Sequence, residues 1–247
     1  MANKPKKSGS SAGVDRRARV EELKRQQQAQ ERKKTLLLAA IGIGVAAVLI
    51  VPSSLVLMHR NHQKHRDPAT VGATAAAAQC DAVKIDPATG GQDHVDAQTH
   101  VDYATIPPSS GRHFQYPADV NERGYYTTKD TPTVEQLVHN LEHGYTIVWY
   151  DPKIATEELN VLKDIGGLLR NNSAFRKIIV APWDLTRGAF PADRPIAMSH
   201  WGGPSDPTKP TSPENGYREF CGEASGGAIV QFMKDHPATD TPEPNTP

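Results

Sequence analysis

The sequence predicts an α/β or α+β fold: a single extracytoplasmic domain with a small sheet and packed helices, preceded by one transmembrane helix. Three observations predict it. Residues 36–58 carry no charge for 23 positions. Val134, Leu137, Val138 and Leu141 have helical spacing and lead through Gly144 into the β-branched and aromatic run Tyr145 to Tyr150. The amphipathic stretch Ala155 to Arg170 is likewise followed by the apolar run Lys177 to Ala181. Helix and strand in that order pack helices against a sheet.

Taken in order, residues 1–35 form a basic arm. Its part from Asp15 to Lys34 reads as a polar helix, with Glu21 four residues before Arg25. Residues 36–58 exceed the roughly 20 apolar residues needed to cross about 30 Å of hydrocarbon. A cleaved signal peptide has a shorter apolar core and a small-residue cleavage site, whereas Met58 runs into His59-Arg60-Asn61-His62. Residues 1–34 hold eleven Lys or Arg and four acids, with Arg32, Lys33 and Lys34 flanking the span. The expectation is a single-pass plasma-membrane protein with a cytoplasmic amino terminus and an outward-facing carboxyl-terminal domain.

Net charge supports that polarity. It is +7 over residues 1–34, +3 over 59–66 and −10 over 67–247. The arm is expected to lie on anionic lipid. Nucleic acid is not expected as a partner, because no aromatic residue is interleaved with the basic ones to stack on bases.

Residues 59–79 read as a flexible spacer, 80–236 as the folded domain and 237–247 as a disordered tail of Pro, Thr and acid. Within the domain, Val134 to His143 is expected as a helix opened by Thr131-Pro132-Thr133, and Tyr145 to Tyr150 as a strand. The helix Ala155 to Arg170 has Leu159, Leu162, Ile165 and Leu169 on one side. Strands follow at Lys177 to Ala181 and Pro195 to Trp201. Glu214 to Lys234 is expected as a last helix, weakened by Gly222, Gly226 and Gly227.

The two cysteines, Cys80 and Cys221, both fall outside the span. On the oxidising side of a membrane an even count invites a bridge. Paired thiolate metal ligands are the competing reading, although neither residue belongs to a Cys-x-x-Cys pair.

Chemistry centres on His139-Asn140-Leu141-Glu142-His143-Gly144. Residues four apart share a helix face, so His139 and His143 can reach one ion about 2.0 to 2.1 Å from each ring nitrogen. The bland alternative is a packed core helix whose His143 favours the carboxyl end of the dipole. His113, His94, and Met198 with His200 could complete the coordination of zinc or copper.

His94-Val95, Tyr103, Pro107 through His113, Gly124-Tyr125-Tyr126, Leu137 through Gly144, and Pro195 through Met198 to Trp201 together resemble domain-of-unknown-function family 3105, membrane-anchored proteins common in actinobacteria. The resemblance implies a single-pass, surface-exposed domain and supports His94, His113, His139, Glu142 and His143 as motif positions. His100 stands where the family has a lysine and is dropped. His200 stands where it has a small residue and is given little weight.

Three functional classes follow. The first is a binding protein holding Cu or Zn through His113, His139, His143, His94 and Glu142. The second is a metal-dependent hydrolase, since His-x-x-Glu-His matches an inverted zinc-protease motif with Glu142 as general base. Those enzymes are generally larger, and Gly144 stops the helix where that motif would continue. The third is a non-catalytic envelope scaffold with a protein partner. Phosphate and dinucleotide chemistry find no glycine-rich fingerprint, and Ser110 lacks the strand-to-helix elbow of a serine nucleophile.

Overall fold

A computed structural model describes residues 16, 17, 19–40, 42, 66–91, 93–119, 123–204 and 212–246. The chain divides into two units, Met1–Gln63 and Lys64–Pro247. In the first, every described residue between 16 and 42 is helical and exposed (α1), including Arg32, Lys33 and Lys34. Most of the expected span lies outside the described residues. Among the described residues, no helix is long and apolar enough to cross a membrane.

The second unit is built on a five-stranded mixed sheet. Its strands are β1 (Lys84–Pro87), β4 (Thr146–Tyr150), β5 (Ile178–Pro182), β6 (Ile196–Pro204) and β7 (Glu214–Cys221), in the order β1-β7-β6-β4-β5. All neighbours are antiparallel except β4 and β5. That parallel pair is joined by α3 (Thr156–Arg170), as a crossover requires. Two short strands, β2 (His94–Val95) and β3 (His113–Phe114), form a separate parallel ladder. The remaining helices are α2 (Val134–Glu142) and α4 (Gly226–Asp235).

Side-chain alternation divides the core into two layers. Ile147 and Trp149 of β4, Ile179 and Ala181 of β5, and Ala197 and Trp201 of β6 pack with Val134, Leu137, Val138 and Leu141 of α2. Val148, Tyr150, Ile178, Val180, Ile196 and Met198 pack on the other side with Leu162, Ile165 and Leu169 of α3 and with Ile229 and Phe232 of α4. A sheet covered on both faces explains why its central strands read as unbroken apolar runs.

Helix α2 starts at a capping box. Thr133 Oγ1 accepts from the Gln136 N–H at 3.3 Å, and Gln136 Oε1 accepts from the Thr133 N–H at 3.2 Å. It ends in a Schellman turn, in which the Gly144 N–H donates to the Leu141 carbonyl at 2.9 Å and the Tyr145 N–H to the Asn140 carbonyl at 3.0 Å. Gly144 has φ +82°, and a Cβ there would meet the Ala238 carbonyl oxygen at 2.3 Å. Only glycine fits both constraints, so the helix stops one residue after Glu142 and the chain turns directly into β4.

Four expectations are corrected. Glu214 to Lys234 is not one helix. Residues Glu214–Cys221 are strand β7, paired on both edges, and the helix begins only after Ser225, whose hydroxyl accepts from the Ala228 N–H at 3.1 Å. A strand wins because Gly216, Arg218 and Phe220 alternate onto one buried face while the backbone pairs with β1 and β6, and the tyrosine and phenylalanine suit it. Cys221 therefore closes a strand, where it forms a disulfide with Cys80. Second, the Ala-rich residues 66–79 are not all spacer: Val71 and Ala78 are buried, and Gly72 bridges Ser225.

Third, residues 237–246 have something to bury after all. Thr241 is buried, and its hydroxyl donates to the carbonyls of Glu142 at 2.7 Å and Leu141 at 3.3 Å. Those are among the carbonyls that a helix leaves unpaired at its end. Fourth, Met198 lies in the α3 and α4 layer, across the sheet from α2, so packing accounts for it.

Candidate metal centre

The residues that converge come from three parts of the chain, and backbone geometry brings them together. The β2 and β3 ladder sets His94 opposite His113, with the His113 N–H donating to the Asp93 carbonyl at 3.3 Å. Gly111, at φ +139°, lies against the ring of Tyr103, where a Cβ would come within 2.8 Å. That turn aims the Gly111 carbonyl at the ring of His113. Helix α2 supplies His139, Glu142 and His143, and Asn140 clamps the segment after β3 onto it: its Oδ1 accepts from the Ala118 N–H at 3.0 Å and its Nδ2 donates to the Ala118 carbonyl at 3.2 Å.

The ring centroids of His113 and His139 are 4.7 Å apart, those of His94 and His113 are 4.9 Å apart, and those of His94 and His139 are 5.1 Å apart. His113 Nδ1 lies 2.8 Å from the Gly111 carbonyl and His139 Nδ1 lies 2.6 Å from the Phe114 carbonyl. A carbonyl can only accept, so each Nδ1 carries a proton, and in the neutral ring Nε2 presents a lone pair. Backbone acceptors of this kind orient metal-ligating imidazoles.

Both Nε2 atoms lie beside the Glu142 carboxylate, which is fully buried, and that of His139 is also within hydrogen-bond distance of His143 Nε2. His113 Nε2 is 3.0 Å from Glu142 Oε2, and His139 Nε2 is 4.0 Å from it. The closer approach is within ion-pair distance but does not have hydrogen-bond geometry, and His113 Nε2 and both Glu142 oxygens lack a hydrogen-bond partner. One ligand atom from each of His94, His113, His139 and Glu142 lies within 4.8 Å of the others, a set that could hold a metal ion. His113, His139 and Glu142 are buried, while His94 is exposed and forms the open side.

Burial pushes the His139 imidazole down to about 4, with the hydrogen bond to Phe114 opposing. Burial also lowers that of His143. Both rings are therefore neutral near pH 7, as ligation requires.

His143 occupies the margin of the cluster. Its Nε2 is 3.1 Å from His139 Nε2 and 3.3 Å from Glu243 Oε2. Glu142, His143 and Glu243 form a second set of possible ligands. Glu243 was invisible in the sequence, because it sits in a tail with no periodicity and reaches α2 only through tertiary docking. His100 is exposed beside Asp102, and His200 is buried under the tail, donating from Nε2 to the Asp240 carbonyl at 2.7 Å. Neither belongs to the cluster.

His94, His113, His139 and Glu142 thus lie together, with His143 at their margin. No curated protein and no solved structure matches the chain. Residues 94–247 match the family described as Protein of unknown function (DUF3105), and the chain belongs to that family.

Proposed function

We propose that this protein is a single-pass membrane protein whose outer domain binds a transition metal, copper or zinc, through His94, His113, His139 and Glu142, with His143 adjoining. The observation that supports it is the pair of buried imidazoles whose Nδ1 protons are held by Gly111 and Phe114, so that their Nε2 atoms turn towards a buried carboxylate whose oxygens have no hydrogen-bond partner. Lone pairs facing one another inside a protein repel unless a cation or a shared proton lies between them, and a bound metal ion meets that need for the whole cluster. The 3.0 Å separation of His113 Nε2 and Glu142 Oε2 suits two ligands of one ion.

The membrane reading is supported by the uncharged residues 36–58 and by Leu36, Leu37 and Leu38, which α1 leaves exposed. The basic residues Arg32, Lys33 and Lys34 beside them support a cytoplasmic amino terminus lying on anionic lipid.

Hydrolysis is the second reading. The exposed His94 leaves the cluster open to solvent on one side, where a bound water would be activated. Glu142 is ill placed as its base, because a fully buried carboxylate among imidazoles serves as a ligand.

The test is metal content of the full chain in mild detergent, after equilibration with copper or zinc, beside His113→Ala and His139→Ala. Bound metal should be lost in both variants. Equal metal in all three chains would remove the site.

A further inference from the structure

We propose that Glu142 bridges two cations, one held by His94, His113 and His139 and the other by His143 and by Glu243 of the carboxyl-terminal segment. The proposal rests on the metal-binding reading above and extends it from one ion to two.

Glu142 carries the argument. Its carboxylate is fully buried, and neither oxygen has a hydrogen-bond partner. A cation between Oε2 and His113 Nε2, 3.0 Å apart, satisfies one oxygen. Oε1 then stays orphaned, a costly state for a buried charged group. Glu142 is also shared by the second ligand set, in which one atom each of Glu142, His143 and Glu243 lies within 4.8 Å of the others. A second ion there would occupy the remaining lone pairs.

The tail position that supplies Glu243 is built rather than incidental. Thr241 Oγ1 and the Glu243 N–H both donate to the Glu142 backbone carbonyl, at 2.7 and 3.2 Å. Lys177 Nζ donates to the carbonyls of His143 and Thr246, at 2.7 and 2.8 Å. Helix end, tail and β5 approach are thereby held together around the second set. Carboxylate-bridged ions sit about 3.5–4 Å apart, which suits neighbouring sets that share one residue. Imidazole and carboxylate donors without thiolate suit zinc or a similar divalent ion at both positions.

Two simpler arrangements compete. A plain His143 and Glu243 ion pair accounts for the tail carboxylate but leaves Oε1 of Glu142 orphaned. A single ion that takes both Glu142 oxygens relieves Oε1 and leaves Glu243 to its ion pair with His143. Each predicts one ion per chain.

The full chain in mild detergent is dialysed against buffered free zinc, and zinc per chain is measured for wild type and Glu243→Ala. Two ions should fall to one, the ion that remains keeping its affinity. One ion in both chains overturns bridging and leaves the single-site reading standing. No ion in either overturns both readings. Two ions retained in Glu243→Ala, or none retained with the fold intact by circular dichroism, also overturns the proposal. Glu243→Gln, which keeps the side-chain volume, repeats the measurement should the alanine variant not fold.

Discussion

The Phe114 carbonyl accepts from His139 Nδ1 at 2.6 Å, so the strand that carries His113 also orients the ring of His139. One backbone segment thereby controls two ligands, and the site tolerates little slippage between β3 and α2. Asn140, one residue further along the helix, holds that segment through Ala118.

Asn140→Ala should therefore weaken metal binding without touching a ligand. Loss of outer contacts of this kind typically costs about 10 to 100-fold in affinity. It also leaves the buried N–H and carbonyl of Ala118 unpaired, for about 1 to 3 kcal/mol of stability. Zinc competition titration and denaturant unfolding measure the two effects, and unchanged affinity would show that the clamp does not position the site.

Gly144→Ala should destabilise the folded domain and loosen its tail. The residue has φ +82°, and the added methyl would meet the Ala238 carbonyl. A non-glycine residue forced into such a conformation costs about 1 to 3 kcal/mol. Thermal unfolding and faster proteolysis within 237–246 report it; wild-type behaviour in both would mean the turn relaxes at no cost.

Thr133→Ala removes the side chain that caps α2 and should cost about 1 kcal/mol. The helix carries His139 and Glu142 of the cluster, so hydrogen exchange should rise first at its amino-terminal turn. Uniform exchange along the helix would contradict this.

Reduction of Cys80 and Cys221, 141 residues apart, should lower stability by on the order of 4 to 5 kcal/mol in the chain-entropy picture. The unfolding midpoint with and without a reductant measures it. An unshifted midpoint would show that the bridge does not limit the unfolded chain.

Acid should destabilise the folded domain. Burial holds His139 and His200 down at about 4, against an ordinary 6.5. Between those values the unfolded chain binds more protons than the folded one. Stability is therefore full above about pH 6.5, declines as the pH falls towards about 4 and levels below it, at up to about 3 kcal/mol per histidine. Melting temperature across that range is the measurement. His200→Gln should make the decline shallower whatever it does to overall stability, and an unchanged slope would remove His200 from the account.

Much of the fold was legible because its signals are local. Val134, Leu137, Val138 and Leu141 share a helix face, Gly144 ends that helix, and the apolar runs at 146–150 and 178–182 are strands buried on both sides. The segment 214–234 misled for the converse reason. A strand there is stabilised by β1 and β6, distant partners that start at 84 and 196, and the Ser225 cap separates strand from helix.

The sequence by itself determined that His139, Glu142 and His143 lie within one helical turn, because spacing along a helix is a property of the backbone alone. It also determined that Cys80 and Cys221 are the only cysteines available to pair. Tertiary structure decided which other groups face that turn. The two-residue β2 and β3 ladder delivers His94 and His113, the unpaired carbonyls at the end of α2 draw in Thr241 and with it Glu243, and alternation along β6 sends Met198 to the opposite face. Such choices depend on contacts between residues far apart in the chain, which no local pattern encodes.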